Sequence, residues 1–138
     1  MKFVWNEQYS VHIGMIDEQH KHYFEILNRI FDGLDSSRMD KMQLGSIVRE
    51  LVDYAFYHFQ TEEKFFRDFQ YEGAVQHIEA HDLYRKTMKG HLQELEGQQA
   101  EVMKIFQELA QFATDWFTNH ILVEDKKYSQ CFIDHGLV

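Results

Sequence analysis

Five histidines and two carboxylates form a ladder along this chain: His20, His58 with Glu62, His77 with His81, and His120 followed by Asp125. Imidazole nitrogens and carboxylate oxygens without a thiolate fit iron, with zinc, manganese or copper as lesser fits. Each rung falls on a hydrophobic stripe of helical period, so these polar groups are headed for the interior. Burying that many of them is costly unless every one is paired. Seven ligands suit two ions better than one. A carboxylate has two oxygens and can bridge two ions, which an imidazole nitrogen cannot. Five terminal histidines then divide unevenly, three on one ion and two on the other. The poorer ion keeps an open coordination position, where a small exogenous ligand belongs.

Residues four apart on a helix sit one above the other on the same face. His58 and Glu62 can thus reach one point, and so can His77 and His81. His120 and Asp125 are five apart, which a regular helix splays by about 140°. The fourth helix is therefore expected to end or unwind between them. Glu124 offers the regular four-residue spacing and competes with Asp125 on spacing alone. His12, His22, His91 and His135 fall off the ladder and are expected at the surface. A lone core histidine is usually a hydrogen-bonded structural residue, and one His-x-x-x-Glu pair is common by chance. What points to metal is the conjunction of such pairs on the inward faces of four helices.

The elements that position these residues follow from periodicity. A first helix carries Ile16, His20, Tyr23, Phe24, Leu27, Ile30, Phe31 and Leu34, and Asp35-Ser36-Ser37 reads as a turn. A second, from about Asp40 to Phe69, places Leu44, Ile47, Leu51, Tyr54, His58, Glu62, Phe65 and Phe69 on one stripe, with Gly73 in the break after it. The third holds His77, Ile78, His81, Tyr84, Met88, Leu92 and Leu95, stopping near Gly97. The fourth holds Val102, Ile105, Phe106, Leu109, Phe112, Ala113, Trp116, Phe117 and His120. A shorter C-terminal piece runs from Asp125 to Phe132, and the stretch before Ile16 reads as an extended arm. The expected fold is all-α, an antiparallel up-down-up-down four-helix bundle made of one domain, residues 1–138.

Composition narrows the function classes. The 138 residues are 44% hydrophobic and 15% aromatic, ample for a core, and the net charge is −9. No basic cluster occurs, which argues against nucleic acid and anionic membranes as partners. A single cysteine, Cys131, excludes an internal disulfide, a cysteine-rich zinc site and an iron–sulfur cluster held by this chain alone. The N-terminus lacks the apolar run of a signal peptide, and no apolar stretch approaches membrane-spanning length. A cytoplasmic monomer is expected.

The chain resembles the hemerythrins, in particular single-domain bacterial ones, over essentially its whole length. The family's landmarks occur in order: Trp5, Ser10-Val11, then Ile16-Asp17-Glu18-Gln19-His20-Lys21; Tyr54, then His58-Phe59-Gln60-Thr61-Glu62-Glu63; Tyr71, then His77-Ile78-Glu79-Ala80-His81-Asp82; and Trp116-Phe117-Thr118-Asn119-His120-Ile121 before Asp125-Lys126-Lys127-Tyr128. The resemblance selects Asp125 over Glu124. It implies that His77, His81 and His120 hold a six-coordinate iron and that His20 and His58 hold its five-coordinate partner. Glu62 and Asp125 would bridge them together with a solvent-derived oxygen. It further implies that dioxygen binds end-on at the five-coordinate iron as a hydroperoxide. Moving the bridging hydroxide's proton internally leaves the net charge of the centre unchanged, so a low-dielectric core penalises neither loading nor release. Phe59, Trp116, Phe117 and Ile121 are expected to line the oxygen pocket.

Four positions depart from the family pattern. His12 replaces a usual glycine, Glu72 a common proline whose loss is expected to loosen the bend, and Phe66 and Phe117 replace Met and Leu. The leading function is non-enzymatic oxygen binding for storage, delivery or scavenging. A di-iron oxidase or peroxidase is the main rival. The paired Glu-x-x-His motifs of ferritin-like sites are absent here, which weighs against it. An oxygen or redox sensor acting through a separate partner, and nitric oxide or iron handling, are further alternatives.

Overall fold

A computed structural model describes residues 2–36, 38–97 and 100–138. Four long helices pack around a common axis: α1 (Gly14–Ser36), α2 (Lys41–Asp68), α3 (Ala74–Leu95) and α4 (Val102–His120). Each packs on the next, and α1 also packs on α4, which closes the ring. Among the described residues there is no strand, as the unbroken 3.6-residue periodicity requires. The turn expected at Asp35-Ser36-Ser37 is not there as drawn. The helix continues through Ser36, and Ser37 lies outside the described residues.

The stripe on α2 differs in detail from the expected one. Ala55, Phe59 and Phe66 are fully buried, while Tyr54, Phe65 and Phe69 are only partly covered. The expected residues already step by three and four; the buried band is wider than one stripe and is centred about one position further on, taking in Val48, Val52, Ala55, Phe59 and Phe66.

The irregularity expected after His120 is present as a local unwinding rather than a break. The chain widens into a π-helical turn over Ile121–Asp125 and continues directly as α5 (Lys126–Asp134). A turn closed by i→i+5 bonds fits one extra residue into the rotation, so His120 and Asp125 can face the same way.

The N-terminal arm is extended apart from one 3-10 turn at Glu7–Tyr9, capped by Asn6. Phe3 exchanges two hydrogen bonds with the Asn28 side chain, at 2.7 and 2.9 Å, and its ring stacks on Phe24. Asp17 then gathers the arm's end, accepting from the Ser10 hydroxyl at 2.5 Å and the Val11 amide at 2.8 Å. His12 adopts φ +62°, the left-handed region where a glycine is unstrained, which accounts for the family's usual residue at this place. Local contacts hold the α2–α3 bend. The Tyr71 amide donates to Phe66 O at 3.0 Å, and the Tyr71 ring covers Gly73 so closely that a Cβ there would lie 2.7 Å from it.

Apolar burial falls into two bodies. The larger includes Tyr23, Leu27, Leu51, Phe59, Tyr84, Leu109 and Phe117; the smaller comprises Val11, Ile13, Ile16, Phe66, Tyr128 and Phe132. The polar ladder crosses each helix between them.

Helix α2 starts with a reciprocal cap. The Gln43 amide donates to Asp40 at 2.8 Å and the Asp40 amide donates to the Gln43 side chain at 2.9 Å. Asp40→Ala removes one half of this exchange and is expected to cost about 1 kcal/mol. Urea unfolding should show a lowered midpoint with an unchanged slope.

Candidate metal centre

All seven ladder residues are buried, with His20, Glu62, His81 and Asp125 wholly inaccessible. They converge into two groups whose donor atoms lie within 4.8 Å of one another: Glu62, His77, His81, His120 and Asp125 in one, His20, His58, Glu62 and Asp125 in the other. Both carboxylates are common to the two. Asp125 turns one oxygen to each group. Its Oδ2 lies 3.1 Å from His20 Nε2, and its Oδ1 lies 3.1 Å from His77 Nε2 and 3.0 Å from His120 Nε2. Glu62 reaches both groups with Oε1, 3.4 Å from His58 Nε2 and 3.2 Å from His81 Nε2. Its Oε2 accepts a hydrogen bond from the buried Tyr128 hydroxyl. Glu124 is half-buried and paired with Lys127 at the surface, outside both groups.

These close approaches are not hydrogen bonds. Glu62 Oε1, His81 Nε2 and both Asp125 oxygens are buried with no hydrogen-bond partner of acceptable geometry. The proton positions explain why. His81 Nδ1 lies 2.7 Å from Glu63 Oε2, a carboxylate that can only accept, so a proton sits on Nδ1 and, in the neutral ring, Nε2 is a lone pair. That lone pair then faces Glu62 Oε1, another acceptor. At His58, Nδ1 donates to Gln19 Oε1 at 2.7 Å, which leaves Nε2 to accept from His20 Nε2 at 3.0 Å. His77 and His120 share a second Nε2–Nε2 hydrogen bond at 3.0 Å. A cation placed among these converging nitrogens and the unpartnered carboxylate oxygens would satisfy them together. The donor set fits a transition metal.

The electrostatics divide. Burial disfavours the His81 imidazolium, but Glu62 and Glu63 outweigh it and raise its pKa, so a metal ion at Nε2 competes with a proton. Burial pushes the His58 imidazolium down, and His20 and His81 add to this, giving a pKa of about 3 and a neutral ring ready to ligate. Burial and Asp125 push the Glu62 carboxyl up, but His58 and His81 outweigh them and hold it at about 2. Asp125, despite burial, is held well below the carboxylate range by His120, His20 and His77. Tyr128 moves the other way, pushed up by burial and by both carboxylates, so it stays a donor to Glu62.

The four expected pocket residues divide. Phe117 is fully buried, with its ring centroid 5.9 Å from His20 and 5.8 Å from His58. Ile121 is buried at the start of the π turn. Phe59 instead stacks on His81 at 4.0 Å, and the half-buried Trp116 stacks on His120 at 4.3 Å. Of the off-ladder histidines, His12, His22 and His135 are exposed as expected, whereas His91 is half-buried near Phe112. Sequence reasoning gave no role to Gln19, Glu63 or Tyr128. The only available signal was adjacency: Gln19 precedes His20, and Glu63 follows Glu62.

Known proteins match this architecture. The model of the hemerythrin HHE cation binding domain matches residues 11–131. A bacteriohemerythrin of Clostridium acetobutylicum is 31% identical over 91% of this chain and 98% of its own length. A hemerythrin-like protein of Naegleria gruberi is 28% identical, over 91% and 90% of the two chains. Among solved structures, wild-type hemerythrin superposes with a TM-score of 0.83 at 27% identity, covering 94% of this chain and 96% of that one. A leucine-to-phenylalanine mutant gives 0.84 at 28%, covering 94% and 95%.

A cation that binds only the folded chain stabilises it by mass action. Adding ferrous or cobaltous ion to metal-free protein should raise Tm by many degrees, and a chelator should reverse the gain. Glu62→Ala, which removes a carboxylate common to both groups, should abolish most of the rise. An unchanged Tm on metal addition would count against the site.

Proposed function

This chain belongs to the hemerythrin family, and we propose that it binds dioxygen reversibly at a pair of iron ions for storage, delivery or scavenging. In this reading His77, His81 and His120 hold one ion, His20 and His58 hold the other, and Glu62 and Asp125 serve both. The observation that carries it is the convergence of five buried histidines on two buried carboxylates, in two donor groups that share Glu62 and Asp125. Held by these residues, a pair of ferrous ions would supply two-electron, reversible capture of dioxygen on the side of His20 and His58.

The protein's own contribution is to orient and to exclude. Gln19 and Glu63 hold protons on Nδ1 of His58 and His81, which keeps both Nε2 atoms turned inward. The Tyr128 hydroxyl fixes the Glu62 carboxylate from behind. Phe117, packed against both His20 and His58, keeps water away from the side of the centre held by only two histidines. A dry pocket slows loss of the captured gas as peroxide and favours holding oxygen over activating it.

Anaerobic loading with ferrous iron should give two irons per chain. Repeated exposure to oxygen and its removal should make a visible charge-transfer absorption appear and vanish. Absorption that fails to reverse, or steady turnover of peroxide with a reductant, would favour an oxidase or peroxidase instead. Phe117→Leu widens the pocket and should speed both oxygen release and autoxidation several-fold. Stopped-flow mixing measures both rates, and unchanged values would remove Phe117 from the pocket.

A further inference from the structure

Beyond their unequal histidine counts, the two groups of donors differ in what stands behind them. Each contains one histidine with a fixed outer partner. Behind His81, found only in the three-histidine group, stands the Glu63 carboxylate, 2.7 Å from Nδ1. Behind His58, found only in the two-histidine group, stands the neutral, buried amide of Gln19, also at 2.7 Å. The distances are equal and the charges are not.

A proton shared with a carboxylate is drawn further from its nitrogen than one shared with an amide, because that hydrogen bond is charge-assisted. The electron density released raises the donor strength of the opposite nitrogen. Glu63 is also held in place. Arg85 Nη2 donates to both of its oxygens at 3.0 and 2.8 Å, and Arg85 Nη1 is tied to Asp82 at 2.9 Å. The guanidinium offsets part of the carboxylate charge, so the proton stays on His81 Nδ1 while remaining strongly polarised. Phe59, stacked on His81 at 4.0 Å and 16° between planes, fixes the ring itself.

Building on the dinuclear reading above, we propose that Glu63 is a positioning residue that sets the order of metal loading. Its carboxylate strengthens His81, so the position of His77, His81 and His120 takes its ion first and releases it last. The His20–His58 position, backed by an amide, loads second and exchanges readily. The position that leaves room for the gas is thus the exchangeable one, and a chain short of metal is half-loaded and silent toward oxygen.

Cobaltous ion, titrated anaerobically into the full metal-free chain and followed by its d–d absorption, tests this without oxygen chemistry. The unaltered protein should bind two cobalts in two steps at least tenfold apart. Glu63→Gln keeps the shape and can still accept the Nδ1 proton, as Gln19 does for His58, so it isolates the charge. It should weaken the first step about 10–100-fold, leave the second unchanged, and shift the d–d bands of the first-bound cobalt only. Gln19→Leu acts from the other side and should weaken the second step alone, which keeps the test decisive if Glu63→Gln folds poorly. Two steps unchanged, or weakened equally, in Glu63→Gln would overturn the proposal. One cobalt per unaltered chain would instead overturn the dinuclear reading on which it rests.

Discussion

At the centre of this bundle, seven buried histidine and carboxylate side chains converge and leave polar atoms without hydrogen-bond partners. Glu62 Oε1, His81 Nε2 and both Asp125 oxygens are among them. In water each would be hydrated and nearly free of cost. In a dry core each unsatisfied polar group costs about 1–3 kcal/mol, and the repulsion between like groups is poorly screened. A folded chain that keeps such an arrangement is suited to holding a cation there. Folding and metal binding are then one linked equilibrium, with the fold lowering the entropy of assembling the ligands and the ion removing the repulsion among them.

The rest of the architecture serves that constraint from two sides. The ladder runs between two apolar bodies, one centred on Tyr23, Phe59, Tyr84 and Phe117 and the other on Phe66, Tyr128 and Phe132. Each supplies rings that pack on the ladder histidines, such as Phe59 on His81 and Phe66 against His77. The arm and the C-terminus close the smaller body, joined where the Gly14 amide donates to Val138 O at 3.0 Å. Rigid rings on both sides hold the imidazoles in fixed planes, so their Nε2 atoms keep aiming at the same points whether or not an ion is bound.

Much of this was legible in the chain before any fold was known, because helices convert spacing into direction. His58 with Glu62 and His77 with His81 stand four apart and meet on one face, as a 3.6-residue repeat demands. The five-residue step from His120 to Asp125 flagged an irregularity but not its kind. A break and a π turn both satisfy the spacing, and only the surrounding packing selects between them. The choice between Glu124 and Asp125 needed family resemblance for the same reason. The outer partners were illegible. Glu63 on α2 supports His81 on α3, and Gln19 on α1 supports His58 on α2, so each pairing crosses helices and leaves no local period. Tyr128 reaches Glu62 from α5 across 66 residues.

The claim beneath the whole account is that two ions sit side by side and share Glu62 and Asp125. X-ray absorption at the iron edge, on protein loaded to saturation, tests it most directly. The account predicts first-shell scattering from nitrogen and oxygen alone, together with a distinct iron–iron scattering path. A spectrum fitted by light atoms only, with one iron per chain, would contradict it.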